Sequence, residues 1–507
     1  MKNLKIFINE KYSNIITFIF LYFLIGTAYY YIYTPPHNII FYDIDSRLNI
    51  DEVIQMYKAT NVYDFIFDTF FGNFIQYGRI TYILLFTFSI PFKVIFNFDY
   101  HYIVLLSHFS IMYISCLVIV KSLFKEKIIQ ILSIVSLMFL DFTSNFMIKT
   151  TSVELFMIAL AIYFIKNSSI KNEYLIYVTL GVLLSIRFTN IVYLGTFFLL
   201  KVSNYKLDNF PKIFASFLFG FFIGQPINFT RYGFNWYKNW ILDTINYDEG
   251  YSVTYLDWIE IIFEVFSGKI VLVIIFINFL TIFYFKTKLT LLEKFLTFSS
   301  LLHIFGFTFS DTLIRSHYLK IPMMLLFVSS ILLIKHIPYL KHVYLLVFLL
   351  FNLNYFYMQS SKYENLLKHG DYTSYTTELE TNEYFIASEY ILKKILENPN
   401  IKKNQLIWWS PKNIYPYSNF HWGSTESISN EKYFIREIWG PSYEFSISNC
   451  ADYGGIAVMY IDEKEILEID QNMIKKNFEL EFIYPLNNSQ NNFYIYRSLK
   501  NELPYSC

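Results

Sequence analysis

Apolar runs and short polar breaks alternate along most of the chain. A first run from about Ile15 to Tyr33 ends in tyrosines and is preceded by Lys2, Lys5 and Lys11. Later runs cover 103–121, 128–148, 153–165, 174–186, 188–200, 213–229, 270–285, 295–310, 321–334 and 343–358. A bilayer core of roughly 30 Å is spanned by about 20 helical residues, and uncharged runs near that length predict transmembrane helices. The stretch 80–97 holds Pro91 and Lys93 and predicts a segment dipping into the membrane or lying along its surface. Residues 174–186 and 188–200 are each short for a span; they predict a hairpin with Arg187 at its tip.

Lysines set the orientation. They cluster before the first run and in "KSLFKEK", "KNSSIK", "KVSNYKLDNFPK", "KTKLTLLEK" and "KHIPYLKH". Cationic loops stay in the cytoplasm. This gives about eleven crossings, a cytoplasmic N-terminus and an outer C-terminus. The N-terminal run is longer than a signal peptide's apolar region and has no small-residue cleavage site, so it reads as an uncleaved anchor. The fold class is therefore mainly α: a polytopic transmembrane bundle over 1–358, with a large first outer loop at 34–102.

Beyond residue 358 the pattern changes. "TNEYFIASEYILKKILE" and "EKEILEIDQNMIKKNF" have helical spacing, whereas "QLIWW", "GGIAVMYID", "FELEFIYPL" and "FYIYRS" read as strands. Residues 359–507 predict a small extracytoplasmic α/β domain.

Composition agrees: 54% of the 507 residues are hydrophobic and 16% charged, against about 25% charged in soluble domains. The net charge of zero supports no nucleic-acid partner. Cys116 reads as a small core residue, while Cys450 and Cys507 share the polar C-terminal region and could pair if it is exported. The 55 Phe and 45 Tyr residues are most simply a product of AT-rich coding.

Sorting the ionisable residues by side brings out a pattern. Asp43 and Asp45 follow the first run; Glu154 opens the run after the short loop "KTTSVE"; Asp141 lies in the outer half of the preceding run. Arg47, Arg79, Lys149, Arg187, Arg231, Arg315, His317 and Lys320 fall on the same side at membrane level. Charges at that depth usually line a bundle interior or a wet cavity. Each alone is most simply a headgroup anchor or, for Arg187 and Asp141, a neutralised pair. Together they suit a phosphate-bearing lipid held beside a carboxylate base. Cations stabilise a leaving phosphate, and a carboxylate within about 3 Å can take the acceptor's proton. Asp43, Asp45 and Glu154 could also form an oxygen site for Mg or Mn. Asp51 reads as an N-cap for "NIDEVIQMYKAT".

With "YDIDSR" close after the first helix, the layout resembles the GT-C superfamily of integral-membrane glycosyltransferases, in the branch of protein mannosyltransferases and lipid A aminoarabinose transferases. "MIKTTSVELFMIALAIYF" looks like the family's second acidic position, on Glu154. "LGVLLSIRFTNIVYLGTFFLL" looks like its paired short helices around a basic residue, Arg187. "RSHYLKIPMMLLF" looks like its late "RYLLPLLPFL" stretch, on Arg315, Tyr318 and Pro322. Where the branch carries "KPPL" or "HPPL", this chain has "QYGRITYILL", so Arg79 stands in for the cation. The resemblance implies sugar transfer from a polyprenyl-phosphate or diphosphate donor to a glycan, lipid or protein acceptor on the outer face of a bacterial inner membrane. Asp43 or Asp45 would be the base, and Arg47, Arg79, Arg187, Arg315, His317, Tyr318 and Lys320 would contact substrate. A flippase of lipid-linked glycans and a non-catalytic envelope-assembly protein are the alternatives. The flippase reading lacks two matching halves and charged inner helix halves.

Overall fold

The computed structural model describes residues 15–28, 44–70, 78–98, 100–140, 150–167, 170–202, 209–230, 233, 235, 238, 273–279, 289–308, 316–334, 342–350 and 353, and, toward the C-terminus, 406–409, 435–438, 456–462, 478–485 and 491–498. The chain divides into two compact units. One comprises Met1–Thr34 and Glu52–Ser360, the other Pro35–Asp51 and Ser361–Cys507.

Helices build the first unit; residues 44–51, at the start of one of them, group with the second. In chain order they are α1 (Ile15–Ala28), α2 (Ile44–Lys58), α3 (Val62–Phe70), α4 (Ile80–Phe96), α5 (Tyr100–Leu123), α6 (Lys127–Met138), α7 (Thr151–Lys166), α8 (Ile170–Ile186), α9 (Ile191–Lys201), α10 (Phe210–Gly224), α11 (Leu291–Thr308) and α12 (Ser316–Ile334). Stretches 273–279 and 342–350 are also helical. Among the described residues, Ile103–Leu123 within α5 is the one span long and apolar enough to cross a membrane, with 21 residues at mean hydropathy 2.3. The shorter apolar helices run 10–17 residues within the described bounds.

Local chemistry explains several boundaries. Asn61 caps α3: its Oδ1 accepts the Asp64 backbone N–H at 2.8 Å, while the Asp64 carboxylate accepts from the Asn61 amide at 2.6 Å and the Thr60 hydroxyl at 2.8 Å. Thr290 and Glu293 form the equivalent reciprocal pair at the start of α11, through bonds of 2.8 and 3.3 Å. The stretch 80–97 forms a 17-residue helix with Pro91 inside it and Asn97 closing it in the left-handed region, φ 48°. α2 starts at Ile44, so Asp51 stands mid-helix and not at the N-cap position expected for it.

α8 packs most extensively on α10 and also on α7, whereas α9 packs on α11. The α8–α10 crossing depends on glycine. A Cβ on Gly181 would fall on the Phe217 carbonyl, and one on Gly220 on the Val178 carbonyl. Gly220 and Gly224 are four residues apart, the small-xxx-small spacing that lets helix backbones touch.

Burial in this unit is inverted relative to a water-soluble fold. Phe20, Phe23, Val94, Phe214 and Phe219 are exposed, whereas Glu52, Arg79, His108, Glu154, Arg187 and Lys320 are buried. Water favours the opposite arrangement; an apolar solvent around the helices favours this one.

The second unit contains a five-stranded sheet. Its strands are β1 (Leu406–Trp409), β2 (Ile435–Ile438), β3 (Ile456–Asp462), β4 (Phe478–Pro485) and β5 (Asn491–Ser498), ordered β2-β1-β3-β5-β4. β1 pairs in parallel with β2 and β3, while β5 runs antiparallel to β3 and β4. Four of these strands coincide with stretches expected from alternation; β2, "IREI", was not expected. The two helices expected in this region lie outside the described residues.

Candidate functional site

Glu154 stands in the first turn of α7 and is buried. Its Oε1 accepts the Thr150 hydroxyl and lies 3.6 Å from Arg187 Nη1. Its Oε2 accepts the Asn190 amide at 3.0 Å, and the same amide donates to the Leu183 carbonyl at 3.1 Å. Both carboxylate oxygens are thus engaged. Arg187 is positioned by the break between α8 and α9: its backbone is extended (φ −153°), and a 3-10 turn over Phe188–Asn190 follows. At this break both Arg187 and Asn190 reach Glu154 of α7.

Around this pair, Tyr193 of α9 and His303 of α11 meet at 3.0 Å between the phenol oxygen and Nδ1. The charges of Glu154 and Arg187 act on Tyr193 and His303 respectively.

A second buried ion pair joins Arg79, just before α4, to Glu52 in α2. Arg79 Nε donates to the Thr69 carbonyl at 3.2 Å, its guanidinium lies 4.8 Å from the Tyr82 ring centroid, and its backbone N–H donates to Gln225 Oε1 at 2.7 Å. The two pairs are neighbours through backbone. A Cβ on Gly78 would sit 2.9 Å from the Ser185 carbonyl and 3.1 Å from that of Gly224, so the chain before Arg79 lies against the end of α8, two residues from Arg187. The half-buried pair Glu173–Lys201, at 3.1 Å, lies at the opposite end of α8 and α9.

Lys320 of α12 is fully buried, and its charge reaches His108 and Cys116 on α5. Neither His108 ring nitrogen has a hydrogen-bond partner among the described residues.

The sequence candidates distribute as follows. Glu154, Arg187 and Arg79 come to one end of the helical unit, and Lys320 is buried in α12. Asp45 and Arg47 lie in the first turn of α2, and His317 and Tyr318 in the first turn of α12. Asp43, Asp141, Lys149, Arg231, Arg315, Cys450 and Cys507 lie outside the described residues. Among the described residues, Glu154 is the carboxylate that meets Arg187. Glu52, Asn190, Gln225 and the Thr69 carbonyl were not expected. Among the described residues, no three His, Cys, Asp or Glu side chains converge as a metal site.

The helices broken around the buried Arg187, with Glu154 opening the preceding helix and Arg79 gathering the segment before α4, belong to a fold found among solved proteins. One solved structure it resembles is the crystal structure of ArnT from Cupriavidus metallidurans in the apo state, with a TM-score of 0.50 over 96% of this chain and 98% of that one, at 7% identity. At that identity the likeness is one of fold alone. No family model matches the sequence, and the sequence matches no curated protein.

Proposed function

We propose that the protein is a multi-pass inner-membrane glycosyltransferase that moves a sugar from a polyprenyl-phosphate or diphosphate donor to a glycan, lipid or protein acceptor on the outer face. In this reading 1–358 forms the transmembrane domain with about eleven crossings, and 359–507 an extracytoplasmic α/β domain.

The observation that carries the reading is the joint burial of Glu154, Arg187 and Asn190 where α7 begins and α8 breaks. Arg187 supplies positive charge where a departing phosphate needs it. Glu154 holds that guanidinium in place, and Asn190 in turn fixes the Glu154 carboxylate. Arg47, Arg315, His317, Tyr318 and Lys320 are the further donors for the donor's phosphate and sugar. Asp45 or Asp43 takes the proton from the attacking acceptor hydroxyl or amine, and the electron pair of the breaking C–O bond leaves with the phosphate. The buried charges and apolar exterior of the helical unit favour a membrane setting for this chemistry.

The test is analysis of lipid-linked and envelope glycans in a deletion strain complemented with variants. The strain should accumulate a glycan lacking one sugar, and the wild-type gene should restore it. Asp43→Asn, Asp45→Asn and the double variant should include at least one that lowers transfer about 100-fold. Full transfer by all three would sink the assignment of the base.

A further inference from the structure

We propose that Tyr193 and His303 form a brace between α9 and α11 that sets the position of the α8–α9 break, and with it Arg187, for sugar transfer. The proposal rests on the transferase reading above and gives a positioning role to two buried side chains that were not among the sequence candidates.

The break is loosely tied by its own backbone. The Arg187 N–H meets the Leu183 carbonyl at 3.4 Å, past the usual range of about 2.7–3.2 Å, and the Asn190 N–H meets the Arg187 carbonyl at 3.1 Å. Arg187 Nη1 stands 3.6 Å from Glu154, an ion pair longer than a hydrogen bond. Where that charge sits therefore depends on where the break itself is held. Asn190 ties one side of it to α7 through Glu154. The other side is tied through α9.

Tyr193 stands in the first turn of α9, directly after the break, and is fully buried. Its phenol oxygen lies 3.0 Å from Nδ1 of His303 on α11, a ring that is 5% exposed. The two rings meet edge to face with centroids 5.1 Å apart. One turn further along α9, Phe197 meets Phe295 of α11 at 5.9 Å and Tyr177 of α8 at 5.4 Å. Such apolar contacts keep the helices together but leave them room to slide, since burial has no direction. The Tyr193–His303 bond removes that room, because a hydrogen bond holds only over a narrow range of distance and angle. α11 also packs on α7, and the charges of Glu154 and Arg187 are felt at Tyr193 and His303. The brace thus lies beside the ion pair and fixes the end of α9 from which the break departs. A catalytic charge placed about 1 Å wrong loses much of its effect on the rate.

Tyr193→Phe, His303→Leu and His303→Asn in the full-length protein test this, each with two readouts. The first two remove the hydrogen bond and keep an apolar group of similar size. The third returns an amide close to the position of Nδ1, able to donate to the phenol or accept from it. In lipid nanodiscs, hydrogen exchange across 187–193 should become about tenfold faster in Tyr193→Phe and His303→Leu while α5 and α7 keep wild-type protection. In the same two variants kcat for sugar transfer should fall about tenfold with the donor KM within about twofold, because positioning and not donor binding is lost. His303→Asn should recover most of both losses. Unchanged exchange across 187–193 in Tyr193→Phe and His303→Leu overturns the brace. So does faster exchange throughout the bundle, which would make the pair a general fold element. So does loosening of 187–193 with full kcat, or a loss confined to donor KM, since the position of Arg187 would then not limit the chemistry. So does His303→Asn behaving as His303→Leu, since the hydrogen bond would then not be what matters. If the wild-type protein transfers no sugar, the functional reading fails, while the exchange arm alone still decides whether Tyr193 and His303 hold the break.

Discussion

Glu154 shows how one buried residue is held in a site. Two hydrogen-bond donors, Thr150 and Asn190, converge on a buried carboxylate, and Arg187 supplies the counter-charge. Removing one member of such a pair leaves the other charge buried, at a cost of about 3–5 kcal/mol. Arg187→Met should therefore lower unfolding stability by that order in detergent, and Glu154→Gln by less, because the amide oxygen can still accept from Asn190. The double variant should recover at least about 1 kcal/mol of the summed loss. Strict additivity in a denaturation series would contradict the pairing. At this scale the sequence revealed candidates better than partners. Glu154 and Arg187 stood out because charges inside apolar runs are costly. Asn190, Gln225 and Glu52 did not, because an amide beside an arginine or the second acid of "DE" carries no such signal. The pairings span 27, 36 and 146 positions, and helical periodicity reports only near neighbours.

The α8–α10 crossing makes a distinct prediction at the level of elements. Gly181 and Gly220 face partner backbone, which cannot rotate away as a side chain can. Gly181→Ala and Gly220→Ala should each cost about 1–3 kcal/mol or abolish folding. Gly195, in α9, has open space where its Cβ would be. Gly195→Ala should be neutral or stabilising by up to about 1 kcal/mol, since alanine is the better helix former. Thermal unfolding of the three variants side by side separates the effects; equal loss in all three would refute the contact argument. Element types were legible where hydrophobic runs were long or alternation was clean, as for α5, α7, β3 and β4. β2 was missed because "IREI" gives only four residues of weak alternation. The start of α2 was missed because "IDSRLN" has no apolar stripe.

For the whole molecule, the inverted burial of the helical unit and the lysine-rich turns make one topological prediction. In cells, with the three native cysteines replaced by serine, Asn61→Cys should react with a membrane-impermeant maleimide, whereas Lys125→Cys should react only after permeabilisation. Both positions are exposed, so accessibility within the fold does not confound the comparison. The reverse pattern would put the candidate site on the cytoplasmic side and rule out an outer-face transferase. The largely helical character of the chain before residue 350 could be read from the sequence, because long apolar runs broken by short polar turns favour helices. The division between the units could not, since Pro35–Asp51 groups with the C-terminal unit across three hundred residues of sequence.

The glycine contacts also bear on how such a chain can diverge. Outward-facing positions on α1 and α10 ask only for an apolar side chain, so mutation can fill them with phenylalanine, isoleucine or leucine at little cost to the fold. Positions 78, 181, 220 and 224 have no such latitude, because any substituent there meets Ser185, Phe217 or Val178. A lineage can thus lose nearly all recognisable sequence through its lipid-facing surface while a handful of hydrogen-sized side chains keeps the helices in register, and distant relatives are better sought by the spacing of those glycines than by overall similarity.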